Sequence, residues 1–338
     1  MKNLARYIIT RLFLTIPMVF ILLTIVFVVL RVMPGDPVSA LLGGHAPEHV
    51  IEQKKEALGL NRPLPMQYLD YLWQVCRFDF GDSMVFNQRV TTAIAEKLPA
   101  TVELTFFGML ITLFLGVFLG AYAADKRRMT QDYGIRLYGI VVYCIPVYWM
   151  GLMLQLIFGI WLDLLPIAGR TGPRVFASTF EKTGFYILDT ILVKDWAALN
   201  DVLIHLILPS VTLGLVLSGI FVRLTRTNML DVLKADYIVA AEARGIPHRI
   251  IVYKHALKNA FIPILTMMGL QFAVLMAGAV LTETTFSWPG MGRLLLERIY
   301  YRDYPVIQGV IIIIALFVAT ASLIVDIIYA IIDPRVRY

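Results

Sequence analysis

Residues 12–30 read LFLTIPMVFILLTIVFVVL without a single charged side chain. An α-helix needs about 20 apolar residues to cross a bilayer. In hydrocarbon a backbone must satisfy its own polar groups, which leaves the helix as the form for such a run. Further apolar runs lie at about 101–124, 137–162, 203–222, 261–282 and 306–332. The expectation is an all-α, polytopic membrane protein with six transmembrane helices. Composition agrees: 59% of residues are hydrophobic, against roughly 45–50% in soluble domains, so no stretch remains for a large soluble catalytic domain.

The first run follows Lys2, Arg6 and Arg11 and ends in RVMPGDP. It is too long for a signal-peptide core and lacks a small-residue cleavage site, so it reads as an uncleaved helix with its amino end in the cytoplasm. Six crossings then place four segments inside: the amino terminus, the loop ADKRRMTQDYGIR, the stretch 223–260 and the tail DPRVRY. Lys and Arg are more than twice as dense there as in the outer loops, as the positive-inside rule requires. The net charge of +6 is therefore topological. No basic helix with interleaved aromatics is present to stack bases, which argues against a nucleic-acid partner.

The division that follows is a first part, 1–100, holding one transmembrane helix and an extracytoplasmic loop, and a second, 101–338, holding a five-helix core. The first loop carries turn signals (MPGDP, NRPLP, FGDS) and, in EHVIEQKKEALGL, a helix with Glu48 and Glu52 early and Gly59 as a stop. The core has an external insertion at 165–203 and a cytoplasmic loop at 223–260. Within the insertion FYILDTILV, residues 185–193, is too short to span and carries Asp189, so it reads as a surface helix.

Chemistry-bearing motifs are scarce. There is no GxxxxGK followed by Ser or Thr, no HEXXH, no GxSxG and no CxxC, so the common nucleotide, zinc, serine-nucleophile and redox sites are missing. His45 and His49 in HAPEH stand four apart, but Pro47 separates them and no third metal ligand is near. Cys76 and Cys144 sit in unlike surroundings and form no ligand cluster. Acids at or inside spans carry more weight, because they are costly there. Glu103 in TVELTF and Glu283 in LTETTF fall at outer helix ends; Asp326 lies about two turns inside the last run. One reading is helix-end capping for the two Glu and an Arg partner for Asp326. The other has Glu103 or Glu283 line an outer mouth and meet a cationic group such as a peptide ammonium. Trp288, Pro289, Gly290 and Gly292 in TFSWPGMGRLL form either a stiff turn near an outer gate, open to a delivering protein, or a packed connection. A secondary transporter would need broken helices and mid-membrane ion ligands; Asp326 and Gln271 make no acidic relay. An intramembrane enzyme lacks a nucleophile and base pair within the spans.

One polar stretch stands out: DYIVAAEARGIPHRIIVYKHALKNAFIP, residues 236–263. Residues 237–244 form a helix of good formers, Gly245 breaks it, and Pro247 can occupy the first turn of a second helix. On that helix Ile250, Tyr253, Leu257 and Phe261 recur as an apolar face, with Lys254 and Lys258 elsewhere. The unit presents a tip at Arg244, Gly245, Ile246 and Pro247, flanked by Ala240, Ala241 and Ala243. It suits either a basic amphipathic helix resting on membrane lipid or a docking knob that small alanines let another surface approach.

AAEARG followed by HALK resembles the cytoplasmic EAA loop of ABC importer permeases, in which EAAxxxG precedes IxLP by nine residues. Val239 stands where that pattern has Glu, Ala240, Ala241 and Gly245 match it, and His255 and Lys258 replace the Ile and Pro. DYI, ARG and HALKNAFIP look like the version found in the peptide and nickel family. RVMPGDPV, LGLNRPLPMQYLDYLW, FDFGDSM, EKLPATVELT, IPVYWMG, ILPSVTLG, VRLTRTNMLDVL, ETTFSWPGMGRLL and YRDYPV extend the likeness along nearly the whole chain. The pattern looks most like the first membrane subunit of dipeptide permeases. The resemblance implies a type I importer core in a prokaryotic inner membrane, not itself an enzyme. It also implies a second homologous permease subunit, two ATPase subunits that bind ATP and Mg²⁺, and an extracytoplasmic binding protein. Residues 240, 241 and 243–247 would then form the coupling helix, with no cofactor bound by this chain. The cargo implied is di- or oligopeptide, with nickel, glutathione and oligosaccharide as alternatives within the family.

Overall fold

The computed structural model describes residues 2–32, 47–57, 61–173, 175 and 182–332, and the structural statements here concern those residues. Every regular element among them is helical. Helix α1 (Lys2–Val32) is followed by α2 (Glu48–Ala57) and α3 (Leu64–Cys76). The long α4 (Val90–Asp125) runs through residue 100, so the division expected there falls inside one helix. Next come α5 (Thr130–Cys144), α6 (Val147–Leu154) with a π-helical extension (Gln155–Trp161), α7 (Tyr186–Val193) and α8 (Trp196–Val232). The chain finishes with α9 (Asp236–Ala243), α10 (His248–Ile250) leading through a π-helical turn (Ile251–Ala256) into α11 (Leu257–Thr285), then α12 (Met291–Tyr300) and α13 (Tyr304–Ile332).

Four stretches are long and apolar enough to cross a membrane: Val90–Asp125, Trp196–Val232, His248–Met276 and Tyr304–Val325. In α1 the described apolar part, Phe13–Val29, is shorter. The run expected as a span at 137–162 is a pair, α5 and α6, that are apolar enough together to cross and bend by 104°. The cause is local. Pro146 cannot donate to the helix ladder, and Ile145 before it is pushed to an extended conformation (φ −79°, ψ 126°).

The core is a parallel seam between α4 and α8. On α4 Gly108, Thr112, Gly116 and Gly120 recur every fourth residue. Gly108, Gly116 and Gly120 face Leu213, Phe221 and Thr225 of α8 at a constant residue offset, so the two helices run side by side in one direction. A Cβ at Gly116 would overlap that of Phe221. Lipid gives helices no hydrophobic reason to associate, and small residues that let backbones close up supply the packing contacts instead. Thr112 Oγ1 donates to the Gly108 carbonyl at 2.9 Å and lies 3.3 Å from that of Gly214 across the seam. Around this seam Leu104, Leu213, Leu275 and Trp288 form one buried cluster.

The first extracytoplasmic loop of the expectation does hold folded elements. Helix α3 lies along α1, where Tyr71 and Val75 pack on Leu23 and Phe27, and Tyr68 Oη is 2.6 Å from Thr24 Oγ1. Asp189 on α7 is buried rather than turned to solvent. Its carboxylate accepts the backbone N–H groups of Thr183 and Gly184 at 3.0 Å, while Leu188 and Leu192 are exposed. The short helix thus lies at the surface, with Leu188, Ile191, Leu192 and Val193 exposed, and is tied down by its buried acid.

Candidate functional site

At the basic end of the bundle, α9 opens with Asp236 in its first turn, where the helix dipole favours an anion. It ends in a Schellman arrangement: Ile246 N–H donates to the Ala241 carbonyl at 3.2 Å and Gly245 N–H to that of Glu242 at 2.9 Å. That closure demands a left-handed residue, and Gly245 has φ +73°. Pro247 (φ −56°, ψ 134°) caps α10 from just outside, one position earlier than the expected first turn. Ala240, Ala243, Arg244, Gly245 and Pro247 are exposed, while Ala241 and Ile246 are half-buried.

The tip stands on a buttress. Ala121 and Ala124 of α4, Met229 of α8 and Ile238 of α9 are buried against Ile251, Val252, Ala256 and Ala260. The expected apolar face of Ile250, Tyr253, Leu257 and Phe261 is therefore corrected: Ile250 and Tyr253 are exposed. The π-helical turn closes i→i+5 hydrogen bonds, which brings Ile251 and Ala256 to one side and rotates the face away from the α-helical spacing. Polar contacts hold the same unit. His248 Nε2 lies 2.7 Å from Asp125 Oδ1, and Lys126 Nζ lies 3.0 Å from Asp125 Oδ2. The Asp125 carboxylate holds the Lys126 ammonium above its usual pKa. Nearby, Arg226 grips Asp132 through Nε at 2.6 Å and Nη2 at 2.7 Å, fastening α8 to α5.

The opposite end is closed by carboxylates. Glu283, fully buried, caps α12 from another helix: Oε2 accepts Arg293 N–H at 2.9 Å and Oε1 accepts the Thr101 hydroxyl. Thr101 Oγ1 accepts Met291 N–H at 2.7 Å in turn. Trp288 is buried, with Nε1 donating to the Ala100 carbonyl at 2.9 Å. Gly290 passes so close that a Cβ there would overlap the Glu283 carboxylate. Glu103, 5% exposed, meets Arg170 Nη2 at 2.6 Å and accepts Ile187 N–H at 3.0 Å. Arg170 also donates to the Gly184 carbonyl and stacks 3.6 Å from the Tyr186 ring centre. Of the two readings given for these acids, an open mouth is corrected, while capping describes Glu283 at the start of α12 and an ion pair describes Glu103. Each carboxylate is enclosed and held by partners within the chain, because a buried charge must be paired or hydrogen-bonded. Of the TFSWPGMGRLL turn only Pro289 among Trp288, Pro289 and Gly290 is partly exposed.

Three further features belong with these. Arg170 and Arg226 are ion-pair partners whose positions no local pattern marks. The four-residue ridge on α4 was visible as spacing. Gln271 is buried, with Oε1 unpartnered among the described residues. His45 and the Asp326 side chain lie outside the described residues; His49 is exposed.

Known proteins carry the same pattern. Residues 4–105 match the N-terminal part, and residues 116–338 the main part, of the binding-protein-dependent transport system inner membrane component. A dipeptide transport system permease protein of Alkalihalophilus pseudofirmus is 40% identical, over 98% of this chain and 99% of its own. A di/tripeptide transport system permease protein of Pseudomonas aeruginosa is 38% identical over 98% of each chain. A dipeptide transport system permease protein of Escherichia coli is 37% identical over 98% of this chain and 99% of its own. A multi-pass helical chain with a projecting, alanine-flanked tip and both family models matched along its length belongs to the family of binding-protein-dependent transport system inner membrane components.

Proposed function

We propose that this chain is one of two homologous membrane subunits of an ATP-driven importer of di- and oligopeptides. The observation that carries the cargo class is the likeness over 98% of the chain to relatives whose names state dipeptide and di/tripeptide transport. With α1 counted as a span and α5 with α6 as one bent span, six crossings leave both termini and the tip in the cytoplasm, the side that the density of Lys and Arg favours. Partner ATPases, which hold ATP and Mg²⁺, dock on residues 240–247. At the other end the locked 287–292 turn and the insertion tied by Glu103 and Arg170 form the surface nearest the binding protein.

The coupling is a population shift. ATP binding closes the partner ATPases, the tip moves with them, and its buttress on α4 and α8 turns that movement into an outward-facing bundle; hydrolysis lets it relax. A bent helix is the one feature a secondary transporter would share. Around this bend Tyr143, Cys144, Ile145 and Val147 offer no carboxylate.

Reconstitution of the full complex tests the reading. Binding protein loaded with dipeptide should stimulate ATP hydrolysis, and uptake should stop when the ATPases are absent. Stimulation by nickel, glutathione or oligosaccharide alone would replace the cargo. Uptake that persists without ATPases would replace the mechanism.

A further inference from the structure

A cavity of about 450 Å³ opens between α5 and α8. These helices are antiparallel, since Asp132 pairs with Arg226 and Gly139 approaches Gly219. The pairing sets the order of the walls. At the end near Asp132 stand Arg136, Arg223 and Arg226; toward Cys144 stand Ile140, Tyr143 and Ile220. Gly139 and Gly219 make the floor, and a Cβ at Gly219 would overlap the Gly139 carbonyl oxygen. Asp132 pairs with Arg226; Arg136, whose guanidinium lies 5.8 Å from the Tyr133 ring centre, and Arg223 are exposed and form no ion pair among the described residues. The groove is therefore cationic at its cytoplasmic end and apolar over the next two turns, about 10 Å.

We propose that this groove binds one anionic phospholipid of the cytoplasmic leaflet, its phosphate on Arg136 and Arg223 and an acyl chain along Ile140, Tyr143 and Ile220. The inference rests on the reading that the basic end faces the cytoplasm. A free anion would have no use for the apolar half, and a neutral lipid none for two unpaired guanidinium groups. Basic pockets between transmembrane helices at this level hold anionic head groups. The depth also matches: charge sits where head groups lie and apolar wall where chains lie.

Native mass spectrometry of the assembled complex, in vesicles of phosphatidylethanolamine with and without phosphatidylglycerol, reads the site directly. At about 1 kcal/mol for each basic residue and 1.4 kcal/mol for each factor of ten, R136Q/R223Q should retain phosphatidylglycerol roughly 30-fold less tightly. R136K/R223K should retain it, as point charges suffice. A photoactivatable phosphatidylglycerol should label residues 136–143 and 219–227 of the unmutated chain, and inorganic phosphate should not displace it. Equal retention by R136Q/R223Q, absence of label there, or displacement by phosphate overturns the proposal. So does loss of the second permease subunit from R136Q/R223Q, which would make the groove a partner surface. A changed peptide KM with lipid retention intact would make it part of the cargo path and overturn it too. Retention is measured without cargo, so an error about peptide import leaves this test standing. Label that appears only when the probe is confined to the outer leaflet would instead show that the assumed orientation is wrong.

Discussion

The two ends of the bundle use charge in opposite ways. At one, Glu103, Glu283, Asp189 and Arg170 are drawn inside: Arg170 Nη2 meets Glu103 and the Gly184 carbonyl, backbone N–H groups serve the three acids, and among the described residues Arg170 Nε is left without an acceptor. At the other, Arg244 and its alanine neighbours stand in solvent on a buried apolar base. At the first end these charged groups are held within the chain, so what it offers another molecule is the surface around them, such as exposed Trp161, Trp196 and Tyr300. The second holds its backbone firmly but leaves its surface unmatched, which is what a docking element requires. Substitutions should therefore trade stability against coupling in opposite proportion at the two ends.

The largest stability loss should come from Arg170→Met. It strands the Glu103 carboxylate in a buried site, and breaking such a pair by removing one partner costs about 3–5 kcal/mol. Thermal unfolding of the purified complex in detergent should show a large fall. Adding Glu103→Leu should recover much of it, since an apolar pair of similar volume avoids the stranded charge. No recovery in the double variant would mean that the Ile187 N–H, which Glu103 also accepts, carries the larger share of the stability.

Gly290→Ala comes next. The new Cβ must push the Glu283 carboxylate off the start of α12, leaving the Arg293 N–H and the Thr101 hydroxyl without it, a cost of about 1–3 kcal/mol. Glu283→Gln keeps the side-chain volume and one acceptor oxygen, so it should retain one of the two hydrogen bonds, lose less than Gly290→Ala and leave the peptide preference of uptake unchanged. A changed preference would restore Glu283 to the cargo path and blur the contrast between the ends.

How much of this was legible depended on the range of the interaction. Length and polarity of a run are local, so the long spans could be read directly, and so could the left-handed turn at Gly245. Pro146 was on view, yet the unbroken apolar run 137–162 concealed that its two halves point apart. The ridge of Gly108, Thr112, Gly116 and Gly120 could have been found by its period. Its partners on α8 could not, because a helix face does not name what it packs against. The cost of an acid at a span end marked Glu103, but capping or an outer mouth was the reading there, and that its partner is Arg170 depends on the folded insertion. The π-helical turn at Ile251–Ala256 carries no residue signature, and it moved the buried face off the expected spacing.

At the solvent-facing end Gly245→Ala meets nothing: no heavy atom lies within 4 Å of the added Cβ. The cost is the left-handed backbone, about 1–2 kcal/mol for a residue with a Cβ. It falls on the local turn more than on the bundle, so thermal unfolding should shift little. Gly245→Val adds a branched side chain to the same strain and should release the ATPases or uncouple uptake. An assembled Gly245→Val complex with normal ATP-driven uptake would remove the turn from the coupling path.

Arg244→Ala should scarcely affect stability, because the side chain is exposed and forms no ion pair among the described residues; such surface changes stay within about 0.5 kcal/mol. Its effect should appear only against a partner. Arginine is over-represented among interface anchors, whose truncation costs about 2 kcal/mol or more, equivalent to roughly 30-fold in affinity. Titrating purified ATPase against the membrane subunits in lipid nanodiscs measures this apart from folding. The expected result is an unchanged unfolding temperature with weakened ATPase binding. That would separate the ends cleanly: Arg170 acts within the chain and Arg244 outside it. Equal affinity for Arg244→Ala and the unmodified chain would mean that the exposed guanidinium is solvated surface. The docking energy would then have to come from the alanines and Pro247, whose apolar contact should be insensitive to salt.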